Sequence, residues 1–158
     1  MKTRTAATPL LLALVAAALV APSGSSAASS CTAGITKIGG KSARTFCGPA
    51  KAHATIGSKS FSFSGGECTK SGTYFTINIG TLVLHKVASS KPGPATYFGV
   101  TVAGDTPGVH LKQVLAWNTG GTAYTVLHNS ITLKSGLKSG TFSGHSINGQ
   151  KIKGSFSC

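Results

Sequence analysis

Acidic residues are almost absent from this sequence. Among its 158 residues, Glu67 and Asp105 are the only carboxylate side chains, against 15 Lys plus Arg. Calcium sites and two-metal sites built from several carboxylates are therefore excluded, and a mechanism that needs a carboxylate pair must use both residues. The sequence also lacks GxSxG, HExxH and glycine-rich phosphate-loop motifs. We predict no catalytic residue, no metal site and no cofactor.

Long apolar runs are missing except for one near the start of the chain. Lys2 and Arg4 precede the run Leu10–Val20, and small residues ending in Ser26-Ala27-Ala28 follow it. This order is typical of a secretory signal peptide, and the run is shorter than the roughly 20 residues that span a bilayer. We predict a signal peptide over residues 1–28, one domain over residues 29–158, no transmembrane segment and a secreted, extracellular location.

Cysteine is scarce, but its number is even. An exported chain meets an oxidising compartment, where four cysteines can form two bridges in three pairings. The short spacing favours a bridge between Cys31 and Cys47, and Cys68–Cys158 would then tie the last residue to the middle of the chain. As an alternative, the small residues before Cys31 resemble the end of a lipoprotein signal, which would anchor the protein at the cell surface through lipid on Cys31.

The residues that favour helices are also few after residue 30, where Gly, Ser and Thr predominate. Apolar residues recur there with period two, most clearly in Tyr74–Ile79, Tyr97–Val102 and Lys151–Cys158. Turn residues separate these stretches at short intervals. We predict an all-β fold, an antiparallel β-sandwich or a partly closed barrel of about eight or nine short strands, stapled by disulfides.

Two local patterns give more specific expectations. Asn148-Gly149 is typical of a type I′ hairpin turn, because both central residues of that turn need positive φ. It predicts that Thr141–Ile147 pairs with Gln150–Phe156. The stretch Val109–Trp117 does not keep one phase of alternation, so we expect a bulge or a strand buried on both faces there.

Several turn and core residues resemble a known family. Gly48-Pro49 leads to Ile56-Gly57, Gly65 and Cys68-Thr69, and the chain ends with a basic alternating strand and Cys158. The pattern over Gly48–Gly80 and the C-terminal strand resembles the mycobacterial secreted lipoprotein-antigen family. The resemblance implies an exported, non-enzymatic β-sandwich antigen of unknown ligand, with a bridge at the positions of Cys68 and Cys158.

Two enzymatic or inhibitory alternatives remain open. The histidines at positions 53, 85, 110, 128 and 145 occur singly, without the spacing of metal ligands. One of them could join Glu67 and Arg44 in a ribonuclease-like hydrolase, with Glu as base, His as acid and Arg on the phosphate. The turn Lys91-Pro92-Gly93-Pro94 is the nearest candidate for the rigid loop of a secreted inhibitor.

Positive charge is the most prominent feature that bears on function. The formal net charge is +13, and Arg44 is the only arginine after residue 28. Lysine-dominated charge favours diffuse, salt-sensitive attraction to a polyanion, namely a cell-envelope polymer, an anionic lipid or nucleic acid, without specific nucleic-acid recognition. We predict a monomer with candidate contacts at Lys134, Lys138, Lys151 and Lys153. A plainer alternative is that the lysines maintain solubility and protect sheet edges.

Overall fold

Two antiparallel sheets pack against each other in the computed structural model, which describes residues 31–84 and 95–158. Sheet A, in spatial order, contains β1 (Gly34–Ile38), β2 (Lys41–Phe46), β6 (Tyr74–Val83), β7 (Tyr97–Ala103), β9 (Val114–Thr119) and β10 (Thr122–Thr125), with β5 (Gly66–Ser71) also paired to β6. Sheet B contains β4 (Lys59–Ser64), β3 (Lys51–Ile56), β13 (Lys151–Ser157), β12 (Ser139–His145), β11 (Leu127–Leu133) and β8 (Gly108–Leu111). The predicted all-β sandwich is confirmed, and both sheets remain open at their edges within these residues. The predicted signal peptide and the Lys91–Pro94 turn lie outside the described residues.

The core lies between the sheets and follows the predicted period of two. Phe75, Ile77 and Ile79 of β6 are buried, as are Phe98, Val100 and Val102 of β7 and Ile152 and Phe156 of β13. Burial of such side chains removes apolar surface from water and supplies the main drive for the two sheets to associate. The intervening residues of each strand therefore face away from the core.

Glycines let aromatic rings pack across the β12–β13 pair. Phe142 lies opposite Gly154, and Phe156 lies opposite Gly140, in the strand register. A Cβ atom at Gly154 would collide with the Phe142 ring, and one at Gly140 would collide with the Phe156 ring. The absence of a side chain at each glycine thus makes room for the ring on the neighbouring strand.

Residues 31–84 and 95–158 form thirteen strands, more than the expected eight or nine, because the chain changes sheet at very short corners. Gly65 alone separates β4 of sheet B from β5 of sheet A, and Val126 alone separates β10 from β11. The loss of phase over Val109–Trp117 comes from neither of the two expected causes, a bulge or a strand buried on both faces. Residues 112–113 instead carry the chain from β8 in sheet B to β9 in sheet A, with Lys112 at a φ of 56°.

Asn129 fixes that corner with its buried amide. Its side-chain oxygen accepts a hydrogen bond from the Gln113 backbone N–H at 2.8 Å, and its amide nitrogen donates to the carbonyls of Gln113 and Val126 at 2.6 and 2.8 Å. The backbone N–H of Lys112 donates to the Asn129 carbonyl at 2.9 Å. These bonds satisfy backbone groups that neither sheet ladder uses at the corner.

The expected two-residue turn at Asn148-Gly149 is also wrong. His145 pairs with Lys151, and Ser146 and Gln150 close a loop whose three central residues are 147–149. Gly149 has a φ of 75°, whereas Asn148 is not among the residues with positive φ. The observed register differs from the predicted one by one residue, and this shift puts Phe142 on the same face as Ile152.

Both disulfides form in the pairing that the spacing favours. Cys31–Cys47 closes the β1–β2 hairpin with a Cα–Cα distance of 5.8 Å, and Cys68–Cys158 joins β5 of sheet A to the end of β13 of sheet B at 5.6 Å. The described part of the chain has no free cysteine. The second bridge therefore connects the two sheets covalently.

We expect the two bridges to contribute unequally to stability. In the loop-entropy description, the 90-residue separation of Cys68 and Cys158 is worth about 4–5 kcal/mol, and the 16-residue separation of Cys31 and Cys47 about 3 kcal/mol. Urea unfolding of Cys68→Ala/Cys158→Ala and of Cys31→Ala/Cys47→Ala measures both losses. A larger loss for the Cys31–Cys47 pair would contradict this expectation.

The turn between β12 and β13 gives a second test. Gly149→Ala places a Cβ in the left-handed region and should lower the free energy of unfolding by about 1–2 kcal/mol. Asn148→Ala should change it by less than about 0.5 kcal/mol, because Asn148 is not left-handed. If chemical denaturation shows the same decrease in the free energy of unfolding for both variants, the turn is instead the two-residue type I′ turn.

Candidate functional site

From β4 to β11, the outer side of sheet B is covered by small polar and basic side chains, whereas its β8 edge carries the exposed Val109 and Leu111. The polar and basic side chains alternate along each strand with buried residues such as Ala52, Phe142 and Phe156, which places them on the opposite side from the core. We call this surface the hydroxyl–lysine face. It consists of Ser60, Ser62, Ser64, Lys51, His53, Thr55, Lys151, Lys153, Ser155, Ser157, Ser139, Thr141, Ser143, His145, Ser130 and Thr132.

Strand register arranges these side chains in rows that cross five strands. One row consists of Ser62, His53, Ser155, Thr141 and Thr132. The next row consists of Ser60, Thr55, Lys153, Ser143 and Ser130. Because neighbouring strands lie about 4.8 Å apart, each row extends for about 19 Å across the sheet. The face therefore consists mainly of hydroxyl groups, with Lys and His side chains among them.

No acidic side chain lies on the hydroxyl–lysine face. Glu67 belongs to β5 of sheet A, and Asp105 follows β7. The Lys70 ammonium lies 2.7 Å from the Asp105 carboxylate, and its hydrogen bond and charge hold the pKa of Asp105 below the usual range. The two negative side chains of the protein thus lie away from this face and leave its lysines unopposed.

The predicted lysine contacts do not form one cluster. Lys151 and Lys153 project from the same side of β13, and Lys134 follows β11 in an extended conformation with its N–H bonded to the Ser139 carbonyl. Lys138 lies in the β11–β12 turn, where its carbonyl accepts the Cys158 N–H. Lys138 and Lys151 are therefore at opposite ends of the β12–β13 pair, about 23 Å apart along the strand.

Lys51 and His53 belong to this face and were missed in the sequence. Both lie on β3, which pairs with β13 although about 95 residues separate the two strands in the chain. The alternation of polar and apolar residues in Lys51–Ile56 predicts that one face of this strand is exposed. Only the pairing order shows that Lys51 and Lys153 share one surface.

His53 is held by two serines of the neighbouring strand. Its Nδ1 lies 3.3 Å from the Ser62 hydroxyl oxygen and its Nε2 lies 3.2 Å from the Ser60 hydroxyl oxygen. The ring therefore bridges β3 to β4 on the outer side of the sheet. Both hydroxyls are exposed and keep hydrogen-bonding capacity for a ligand.

Two shallow depressions lie on the face. The β3–β4 depression, of about 420 Å³, is lined by Lys51, His53, Ser62 and Ser155 among others. The β12–β13 depression, of about 480 Å³, has a lining that includes the basic side chains Lys151, Lys153 and His145. Each combines ammonium or imidazole groups with hydroxyls, which are the side chains that donate hydrogen bonds to oxyanions.

The ribonuclease-like arrangement gains no support from the structure. Arg44 and Glu67 do approach each other, with 4.0 Å between the guanidinium and the carboxylate. However, the four described histidines, at positions 53, 110, 128 and 145, all lie on strands of sheet B. The described residues also contain no group of three or more His, Cys, Asp or Glu that could hold a metal ion.

The outer side of sheet A is more apolar at one end. Tyr97 donates its hydroxyl to the Asn78 side-chain oxygen at 2.7 Å and lies near Phe46, with ring centroids 6.0 Å apart. The Arg44 guanidinium lies over the Phe46 ring at 4.9 Å. Burial raises the pKa of the Tyr97 hydroxyl above its usual value of 10.0. At this end of sheet A the side chains are therefore engaged with one another, whereas the exposed rows of hydroxyls lie on sheet B.

Comparison with protein families, characterised proteins and solved structures gives no match to this chain. The resemblance to the secreted lipoprotein-antigen family therefore stays a prediction. Across the two described segments, the only helical element is the short turn Ser135–Leu137, and no helix is long and apolar enough to cross a membrane.

Alkaline titration tests the environment of Tyr97. Its raised pKa means that the folded state holds the phenol proton more tightly than the unfolded state, so this contribution to stability is present below about pH 10 and is lost as pH rises through the folded pKa. The wild-type protein should show tyrosinate absorbance that develops above the normal range. That absorbance should be missing in Tyr97→Phe, and identical titration curves would contradict the assignment.

Proposed function

We propose that this chain is a non-catalytic binding domain that acts outside the cytoplasm and binds a linear, phosphate-bearing polymer of the cell envelope on its hydroxyl–lysine face. The observation that supports the proposal is the combination of rows of hydroxyls, three lysines and two histidines with no acidic side chain on the same surface. Hydroxyl and ammonium donors without competing carboxylates favour a ligand that is rich in anionic oxygen atoms.

The absence of aromatic side chains from this face favours an anionic polymer over nucleic acid. The phenylalanines of sheet B, such as Phe63, Phe142 and Phe156, are buried in the core. Recognition of single-stranded bases depends on aromatic stacking platforms, and none is present among the residues that define the face. Lysine also binds phosphate as a mobile point charge, whereas arginine would provide a fixed, bidentate geometry. The surface is therefore suited to repeated phosphate groups more than to bases.

The disulfides support a location outside the cytoplasm. Disulfides persist in oxidising compartments and are rare in reducing ones. The Cys31 sulfur is bonded to Cys47, and a sulfur in a disulfide does not carry a thioether-linked lipid. This bond favours the freely secreted form over anchorage through Cys31. An antigen-like role, as the family resemblance implies, is compatible with such a form.

Matched lysine variants test the proposal. The triple variant Lys51→Gln/Lys151→Gln/Lys153→Gln removes three charges from the face, and Lys37→Gln/Lys112→Gln/Lys138→Gln removes three charges elsewhere. Each lysine that contacts phosphate contributes roughly 0.7–0.9 to the slope of log affinity against log salt. The face variant should therefore lose about 2 units of slope on immobilised polyphosphate, while the control variant keeps the wild-type slope.

The same columns give the outcomes that would contradict the proposal. An equal decrease of the salt slope in the two triple variants would show that net charge alone attracts the polymer, without a defined binding face. Tighter retention on single-stranded oligonucleotides than on polyphosphate, with a preference among bases, would identify nucleic acid as the ligand instead. Thermal unfolding of both triple variants controls for loss of structure.

A further inference from the structure

The two depressions of the hydroxyl–lysine face lie along one strand. Ser155 and Ser157 of β13 line the β3–β4 depression, and Lys151 and Lys153 of the same strand line the β12–β13 depression. Their centres are four residues apart along β13, which is about 13 Å in an extended strand. Both open on the same side of the sheet, because all four residues face away from the buried Ile152 and Phe156.

Each depression has the donors that one oxyanion requires. In the β3–β4 depression, Lys51 is paired with Ser64 and Ser157 in the strand register, and His53 is paired with Ser62 and Ser155. In the β12–β13 depression, Lys153 lies beside Thr55 and Ser143, and Lys151 lies opposite His145. Charge-assisted hydrogen bonds from ammonium groups, supplemented by neutral hydroxyls, are the usual means of holding phosphate.

The surface between the depressions can accept a chain. Ser155 at the edge of the first depression is two residues from Lys153 at the edge of the second, and Thr141 lies beside Ser155 on β12, so short hydroxyl groups continue from one depression to the other. A linear polyanion laid along β13 would therefore meet hydroxyls between two positively charged positions. Both positions belong to paired strands in the middle of the sheet, so their spacing is fixed by backbone hydrogen bonds.

We propose that the two depressions are separate phosphate subsites that one polymer occupies at the same time, with its chain running along β13. This inference rests on the proposed function and adds a two-point mode of recognition to it. A ligand that spans both subsites gains from effective concentration, so its affinity can exceed that for either subsite by roughly 10²–10⁴-fold. A ligand shorter than about 13 Å occupies one subsite at a time.

The length of the ligand provides the test. Amide resonances of the wild-type protein are followed by NMR during titration with inorganic triphosphate and with long-chain polyphosphate, compared at equal phosphate concentration. Triphosphate should shift two sets of resonances, around Lys51 and around Lys153, that saturate independently. Long-chain polyphosphate should shift both sets together, with an affinity at least about 100-fold higher.

Single lysine variants separate two-point binding from general attraction. Lys51→Gln should abolish the first set of triphosphate shifts and leave the second set unchanged, and Lys153→Gln should do the reverse. In both variants, long-chain polyphosphate should lose most of its higher affinity relative to triphosphate. Lys138→Gln, with the same change in charge, should keep that difference in affinity. Because all three residues are exposed, Gln at these positions leaves the core untouched.

Two different failures can be told apart. Two-point recognition is wrong if Lys51→Gln weakens the binding of triphosphate and of long-chain polyphosphate by the same factor. It is also wrong if triphosphate shifts only one set of resonances. In either case the proposed function stands. If Lys138→Gln weakens binding as much as Lys51→Gln does, or if no resonance on the face shifts, the proposed function itself is wrong.

Discussion

The register between β12 and β13 is the constraint on which the rest of the molecule depends. It sets Phe142 opposite Gly154 and Phe156 opposite Gly140, so that each ring fills the space that a glycine leaves. Because side chains alternate across a strand, the same register sends every intervening Ser, Thr, Lys and His of this hairpin to the outer side. A shift of β13 by one residue would move Phe156 to solvent and Lys151 and Lys153 into the core. The core and the hydroxyl–lysine face are therefore two results of one pairing.

Much of the fold was predictable, because period-two alternation depends on each strand alone. The buried faces of β6, β7 and β13 were predicted correctly, and so was the favoured pairing of the cysteines. The turn at 147–149 was not, since the packing of Phe142 outweighs the local preference of Asn-Gly for a two-residue turn. The change of sheet at 112–113 depends on Asn129, which comes from another strand, and no local pattern reveals it.

The candidate site was less predictable than the fold, for a reason that lies in topology. Lys151 and Lys153 were recognised as exposed from their own strand, but Lys51 joins them only because β13 pairs with β3. Lys138, in contrast, is close in sequence to the site and belongs to a turn at its far end. Net charge therefore predicts a polyanionic ligand, whereas the non-local pairing of strands determines which lysines share one surface.

The position of β13 favours the proposed binding, because it gives the lysines of the face a rigid support. This strand is paired on both sides, with β3 and β12, and its end is tied to sheet A through Cys158 and Cys68. A rigid strand keeps the two depressions at a constant separation, so the cost of ordering on binding falls mainly on the lysine side chains and the ligand. The disulfide that stabilises the sandwich thus also restrains the strand that carries both proposed subsites. Stability and the proposed recognition both depend on β13, and we expect loss of the Cys68–Cys158 bridge to weaken both.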